Sequence, residues 1–501
     1  LNLPFEVELR TSVSLKSDYP SRNDLSLLFG FAEWTFGNRL STVCAVYHAT
    51  KQQAGAMFAR LFALSMTFCN LAAGAETQLT RINPMAPSDT YFTSQWNLHN
   101  KGPGATPMGK GVVSGSDHAH IAEAWGLLYE LGLVKSVQDI GKSIRLAVID
   151  DGFDLKHEDL SEKFVAWKNF GGPVLADNLF SMGPKNFHGT LVTGLAAATG
   201  DNGKGIVGAC PGCRLVAARM AADKPSDQTA EEYYQKIFDW VLAQNADVIN
   251  CSWGPDPTTT PGFAQQLLDG LAREGRGGKG TVVVFASGNS GQDMAWNAFA
   301  SNPQAIVVAA SDSTGKRHGF SNYGSGLDLV APTSGGVGSS SRYTDPIWTT
   351  DNYLAPECLK PGAKPSSGCA DKAGWTPNSN VAGGDGWEGK YSYRFSHTSS
   401  AAPIVSGVVA LMLQANPELS ANEVQFILQN SADRVAAADA RYNAKGFSNH
   451  YGYGRVNALR AVALAYEMSG RVLDATMKTR IDLTSPCTRS NCWALPAASG
   501  I

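Results

Sequence analysis

Six short apolar runs, spaced along the chain and separated by helical patterns, constrain the fold more than any other feature. They read IRLAVI (144–149), RLVAAR (214–219), DVIN (247–250), TVVVFA (281–286), AIVVAA (305–310) and LDLVA (327–331). Each is continuous rather than alternating, as expected of strands covered on both faces. Helical patterns fit 188–199, 229–244, 262–273, 398–414, 420–431 and 457–467. Strand–helix–strand repetition predicts an α/β fold, with a mostly parallel sheet, right-handed crossovers and helices on both faces.

Composition agrees. Hydrophobic residues make up 43% of the 501 residues, which is ample for a packed interior and excludes a disordered or coiled-coil chain. Lys+Arg is 41 against 44 Asp+Glu, a net charge of −3, so nothing points to a nucleic-acid partner. The alternation begins near residue 106 and runs to about 466. Residues 76–105 are polar and irregular and read as an N-terminal extension. Residues 334–395, rich in Gly, Ser, Pro and Asn, read as a long surface insertion. Residues 467–501 read as a short polar tail.

The first Met is Met57. From it the chain reads MFARLFALSMTFCNLAAGA: a basic residue, an apolar stretch, then Ala73-Gly74-Ala75. This is the pattern of a secretory signal peptide over 57–75, cut after Ala75, with a buried helix as the alternative. Residues 1–56 are then upstream of the mature protein, which is expected to be secreted or periplasmic. No run of 18 apolar residues appears in the body of the chain, so no membrane span is expected after signal removal. The nine cysteines fit export. Cys44 and Cys69 precede the cut; Cys210/Cys213, Cys358/Cys369 and Cys487/Cys492 form three close pairs; Cys251 is left over. For Cys210-Pro-Gly-Cys213, zinc is disfavoured because no second ligand pair has suitable spacing. Redox chemistry is disfavoured because the motif precedes a strand rather than opening a helix.

Four short motifs carry chemistry. Asp150-Asp151-Gly152 follows the first strand, where catalytic groups of open parallel sheets gather and where a carboxylate can orient an imidazole. His188-Gly189-Thr190 opens a helix of small residues. Thr398-Ser399-Ser400-Ala401-Ala402-Pro403 opens another, with Pro403 read as lying in its first turn. Unpaired N–H groups and the positive dipole end there suit a nucleophile that makes an oxyanion. Ala286-Ser287-Gly288-Asn289-Ser290-Gly291 follows the fourth strand, and an Asn amide on such a turn can donate to an oxyanion. Alone, each has a plain reading as a turn, a surface His or a helix cap.

Together, AVIDDG, HGTLVTG, FASGNSG and TSSAAP resemble the signature segments of the subtilisin-like serine peptidase superfamily. Ser252-Trp253-Gly254, SNYG…LDLVAP (321–332) and GYGRVNALRAV (452–462) extend the resemblance, which covers roughly 95–466. It implies a three-layer subtilisin-like fold and a serine endopeptidase working through an acyl-enzyme. Ser399 would be the nucleophile, His188 the general base and Asp150 its orienting acid. Asn289 and the Ser399 N–H would form the oxyanion hole. Ser252, Trp253, Gly254 and Gly288 would bind substrate, the first three as an added strand. A structural Ca²⁺ is implied, held by Asp159 and Asn202 through side chains and by carbonyls of Thr199, Lys204 and Ile206, with a metal-free Gly-rich turn as the alternative. Protein or peptide substrates and a monomeric state are expected.

There are departures. His397 stands two before the nucleophile where the family usually carries Gly, so a positive φ there would be strained. Asp151 and Ser252-Trp253-Gly254-Pro255 lean towards the kexin/furin branch, which cuts after basic residues, and Asp256 is also available. Lys185, however, stands where that branch has an acid, and the chain after 467 is too short for that branch's extra β-domain. Between Ala75 and QWNLHN there is no room for the family's usual propeptide. Three readings remain: an endopeptidase, a transpeptidase or cyclase using the same acyl-enzyme, and a non-catalytic peptide-binding relative.

Overall fold

The computed structural model describes residues 10–14, 26–36, 39–49, 81–105, 112–171, 188–220, 227–255, 258–335, 345–351, 390–393 and 395–483. The chain divides into two compact units, Leu1–Thr80 and Arg81–Ile501. In the first, β1 (Arg10–Ser14), β2 (Ser26–Phe36) and β3 (Arg39–Ala49) pair antiparallel in chain order. The expected signal segment 57–75 lies outside the described residues, as do Cys358, Cys369, Cys487, Cys492, Lys185 and Asp256.

The second unit opens with an irregular segment whose apolar side chains are nonetheless buried: Tyr91, Phe92, Trp96 and Leu98. Its elements in chain order are β4 (Gly104–Ala105), β5 (Val112–Val113), α1 (Ile121–Glu130), β6 (Arg145–Asp150), β7 (Phe164–Asn169), α2 (His188–Ala197), β8 (Arg214–Arg219), α3 (Ala230–Ala243) and β9 (Val248–Cys251). Then come α4 (Pro261–Gly278), β10 (Val282–Ala286), β11 (Ala305–Ser311), β12 (Leu329–Pro332), β13 (Thr349–Thr350), β14 (Tyr391–Ser392), α5 (Thr398–Ala415), α6 (Ala421–Ser431), α7 (Ala437–Ala440), α8 (Ala458–Met468) and α9 (Ala475–Ile481). Seven strands form one parallel sheet in the order β12-β11-β10-β9-β6-β8-β7.

Six of these strands are the predicted apolar runs, and β6 shows why they are apolar throughout. Leu146 and Val148 enter the core shared with α1, α2, α5 and α8, while Ala147 and Ile149 enter the core shared with α3 and α4. The seventh strand, β7, has no such signature. It is an edge strand paired only with β8 and nowhere fully buried, with Val165 and Trp167 exposed. Local chemistry fixes the helix starts. Thr229 and Glu232 form a capping box on α3, and Ser420 and Glu423 form one on α6, each worth about 1 kcal/mol.

Two expectations change. The segment 334–395 is not wholly a surface insertion. β13 and β14 pair antiparallel and are buried, and Thr349 and Thr350 donate from Oγ1 to the carbonyls of Leu191 and Thr190 in α2 (2.5 and 2.7 Å). Gly194 permits this contact, since a Cβ there would stand 2.2 Å from Thr350 Oγ1. The polar tail also holds α9, capped by Asp474 and tied to α1 through Arg480–Glu130 hydrogen bonds of 2.7 and 2.9 Å. Cys210 and Cys213 form a disulfide and Cys251 is a buried free thiol. One described helix, α5, is long and apolar enough to cross a membrane, and it is buried inside the unit.

Candidate active site

The parallel sheet brings the four motifs to one rim. β6 and β9 are neighbours with Ile149 opposite Cys251, so Asp150 and Ser252 emerge side by side at their C-terminal ends. Gly189 lets the start of α2 press onto this rim: a Cβ there would lie 2.4 Å from the Gly152 carbonyl and 2.9 Å from Asp150 Cβ. His188 is thereby set against Asp150, and its Nδ1 donates to Asp150 Oδ1 (2.8 Å). With Nδ1–H engaged, the lone pair of the neutral ring is on Nε2. Phe395 stands edge-on to the ring, with centroids 5.5 Å apart.

The charges around the ring raise its basicity. Burial works against the imidazolium, but the Asp150 charge and hydrogen bond, and then Asp151, outweigh it and hold His188 above its ordinary range. Asp151 is itself raised, first by burial and then by the Asp150 charge, although it accepts the Gly189 N–H (3.0 Å).

Ser399 is the second residue of α5. Its Oγ donates to the Ser252 carbonyl (3.1 Å), and no hydrogen bond joins it to His188 in this structure. Pro403 contributes to its placement. It lies inside α5, beyond the first turn assigned from sequence, and has no N–H to give the Ser399 carbonyl four residues back. That carbonyl instead accepts from Ser252 Oγ (3.1 Å). Ser252 Oγ in turn accepts from Asn250 Nδ2 (2.9 Å), and Asn250 Oδ1 accepts from Ser406 Oγ (2.8 Å). The Ser252 side chain is thus buried scaffold for Ser399, while Gly254 is exposed with open space beside its Cα. Trp253 is held by Nε1 donating to the Ile149 carbonyl (2.8 Å) and stacks on Tyr234 (5.4 Å).

Asn289 has a defined orientation. The Thr398 N–H and Oγ1–H both need an acceptor, and both reach Asn289 Oδ1 (2.9 and 2.8 Å), so Nδ2 points away from Thr398 as a donor. Gly288 has φ +101°, and a Cβ there would meet Asn322 Nδ2 at 2.4 Å. Asn322 braces this turn: Oδ1 accepts from Ser290 and Gln292 N–H (2.9 and 3.2 Å), and Nδ2 donates to the Ser287 carbonyl (3.0 Å). Sequence reasoning missed Asn250 and Asn322. A polar residue inside the buried run DVIN was the available signal for the first, since a buried amide needs partners; for the second it was its place in the segment SNYG. His397 has φ 72° and ψ −178°, the strained geometry expected where glycine is usual. Its carbonyl accepts from Ser400 N–H and Oγ (3.2 and 2.9 Å) and from Thr333 Oγ1 (3.2 Å).

The candidate calcium residues also meet. Asp159 is fully buried; Oδ1 accepts from Asn202 Nδ2 (2.8 Å), Oδ2 from Ile206 N–H (3.2 Å), and its carbonyl from Thr199 Oγ1 (2.9 Å). Asn202 Oδ1 accepts from Lys204 N–H (2.8 Å). A residue the sequence did not reveal, Asp89, joins them by accepting the Asp201 N–H (2.6 Å). Burial, then Asp159, lifts Asp89 to about 6, although its hydrogen bonds oppose this; burial also raises Asp159. Two buried carboxylates, one raised by the other's charge, beside the Asn202 amide fit a hard divalent cation, although the buried Lys163 ammonium also feels the Asp159 charge. To serve as a ligand through Oδ1, the Asn202 amide would be turned over.

Three comparisons bear on this arrangement. The family described as subtilase matches residues 141–454. A calcium-dependent protease of Nostoc sp. is 33% identical over 390 residues, covering 75% of this chain and 51% of that protein. A thermophilic serine proteinase of a Bacillus sp. is 30% identical over 317 residues, covering 63% of this chain and 61% of that protein. The chain spans about half the length of the Nostoc relative. A crystal structure of Aeromonas sobria serine protease with its chaperone superposes with a TM-score of 0.61 at 22% identity, covering 78% of this chain and 70% of that one; it bears on the fold alone. The match over 141–454 takes in all seven sheet strands and the elements that carry Asp150, His188, Asn289 and Ser399, and on it this chain belongs to the subtilase family.

Proposed function

We propose that this chain is a secreted serine endopeptidase in which Asp150, His188 and Ser399 act as a catalytic triad. The observation that carries the reading is the His188 Nδ1–Asp150 Oδ1 hydrogen bond of 2.8 Å on the same rim as Ser399. In the free structure the Ser399 hydroxyl is turned to Ser252; to react it swings to His188 Nε2, a contact that commonly tightens only with substrate bound. His188 takes the hydroxyl proton as Oγ attacks the scissile carbonyl, and Asp150 stabilises the imidazolium. Asn289 Nδ2 and the Ser399 N–H at the start of α5 receive the oxyanion. His188 then protonates the leaving amine, and water resolves the acyl-enzyme. Substrate backbone adds along Ser252–Gly254 beside Gly288, with moderate sequence tolerance.

Ca²⁺ at Asp159, Asn202 and the adjoining carbonyls, with Asp89 beside them, would neutralise buried charge and stiffen the loop after α2. The name of the Nostoc relative supports a calcium requirement. The apolar segment 57–75 and the Cys210–Cys213 disulfide support export. Incubation with a peptide library, with products read by mass, tests the reading. Wild type should release new carboxyl and amino termini and Ser399→Ala should not. Joined termini would indicate transpeptidation, and intact peptides with saturable binding would indicate a non-catalytic relative.

A further inference from the structure

A second group of chemistry-bearing side chains lies where the loop 95–100 meets the start of α1, and among the described residues it shares no hydrogen bond with the Ser399 site. His99 Nδ1 and His118 Nε2 both approach Glu123 Oε1, at 2.9 and 3.2 Å. One donor atom from each of the three residues lies within 4.8 Å of the others. Donors around one tetrahedral zinc, each at about 2.1 Å from it, stand roughly 3–3.5 Å apart. The three side chains are 23%, 10% and 13% exposed, so none is sealed from solvent.

The hydrogen-bond roles point to a cation. His118 Nδ1 is 3.2 Å from the Ser116 carbonyl, which can only accept, so Nδ1 carries the hydrogen. In the neutral ring this leaves the Nε2 lone pair aimed at a carboxylate oxygen, and two lone pairs cannot face each other without a positive charge between them. A proton on Nε2 would satisfy them, and so would a metal. A ring held by Nδ1–H to a backbone carbonyl with Nε2 free is the arrangement that orients metal-binding histidines. Glu123 Oε2 is buried with no hydrogen-bond partner, leaving the carboxylate capacity for an ion. Arg455 does not compete for the carboxylate, since it is paired with Asp117 (2.8 Å) and Asp433 (2.6 Å).

We propose that His99, His118 and Glu123 form a binding site for one divalent transition metal of the zinc class, distinct from the oxygen-lined calcium residues. The mixed nitrogen and carboxylate donors select zinc over calcium. The ion would clamp the N-terminal segment onto α1, where Ile121 and Ala119 N–H already bond the Leu98 and Asn97 carbonyls (3.1 Å each). Binding to the folded state alone would then stabilise the unit.

The test uses the full chain carrying Ser399→Ala to prevent self-digestion, stripped of transition metals and held in saturating Ca²⁺. Zn²⁺ is titrated by calorimetry, Co²⁺ by visible absorption, and Tm is read with and without Zn²⁺. One Zn²⁺ per chain, an intense low-coordination Co²⁺ spectrum and a Zn²⁺-dependent rise in Tm are expected. His118→Asn should weaken binding by about 100-fold or more, as should His99→Gln. His99→Gln, on the more exposed loop, keeps the test open if His118→Asn does not fold. Absence of saturable Zn²⁺ binding by the folded chain would overturn the proposal and leave Glu123 as a carboxylate clasp for two histidines. Unchanged affinity in His99→Gln and Glu123→Gln would overturn it too, as would loss of binding in a further His188→Ala variant.

Discussion

Ser399 is placed by what its neighbours lack. Pro403 withholds an N–H, the Ser399 carbonyl turns to Ser252, and Asn250 and Ser406 complete a buried chain of hydroxyls and amides. His397 departs from the usual glycine in a backbone region that costs a side chain about 1–3 kcal/mol. Part of this is offset by the Ser396 Oγ–His397 Nδ1 bond (2.8 Å) and the Phe320 ring at 4.7 Å. His397→Gly should therefore raise unfolding stability by about 1 kcal/mol in urea titrations; a loss would mean that the ring contacts outweigh the backbone strain. Asp151 belongs to the same scale. Removing its charge leaves His188 easier to deprotonate, so Asp151→Asn should move the acid limb of the kcat/KM profile to lower pH. Asp150, His188, Ser399 and Asn289 were legible as candidates because each sits in a short local motif. Asp89, Asn250 and Asn322 were not, because their roles depend on partners brought close only by the fold.

At the level of elements, the strands were legible wherever both faces are covered. β7 escaped because an edge strand need not be apolar throughout, and α1 because it is buried nearly all round and marks no single apolar face. The insertion was misjudged at its two ends for a related reason. Thr349 and Thr350 are polar in sequence, yet their hydroxyls are satisfied by α2 carbonyls. The turn 287–292 is the element whose proposed role depends most on shape. Asn289→Ala should lower kcat by about 100- to 1,000-fold with little change in KM, because the lost donor acts on the transition state. Asn322→Ala, which removes three hydrogen bonds from the turn without touching substrate, should lower kcat by about tenfold. Steady-state kinetics on one peptide would separate the two.

For the whole molecule, the buried pair Asp89 and Asp159 ties stability to pH and, on the proposed reading, to calcium. Asp89 has a folded pKa raised to about 6 from an ordinary value near 3.8, so between these values the metal-free folded state holds more proton than the unfolded one. Its contribution to stability is therefore lost as pH rises through that window. With Ca²⁺ bound the carboxylates are favoured as anions and the slope should flatten. Tm measured from pH 4 to 7, with Ca²⁺ and with a chelator, checks this; identical curves would remove calcium from the account. The claim on which the functional reading rests is that Asp150 and His188 activate Ser399, and the most direct measurement is covalent labelling by a fluorophosphonate with peptide mapping. One label per chain is predicted on Ser399, absent in Ser399→Ala and slowed at least about 1,000-fold in His188→Ala. A label on another serine, or a labelling rate unchanged by either substitution, would contradict it.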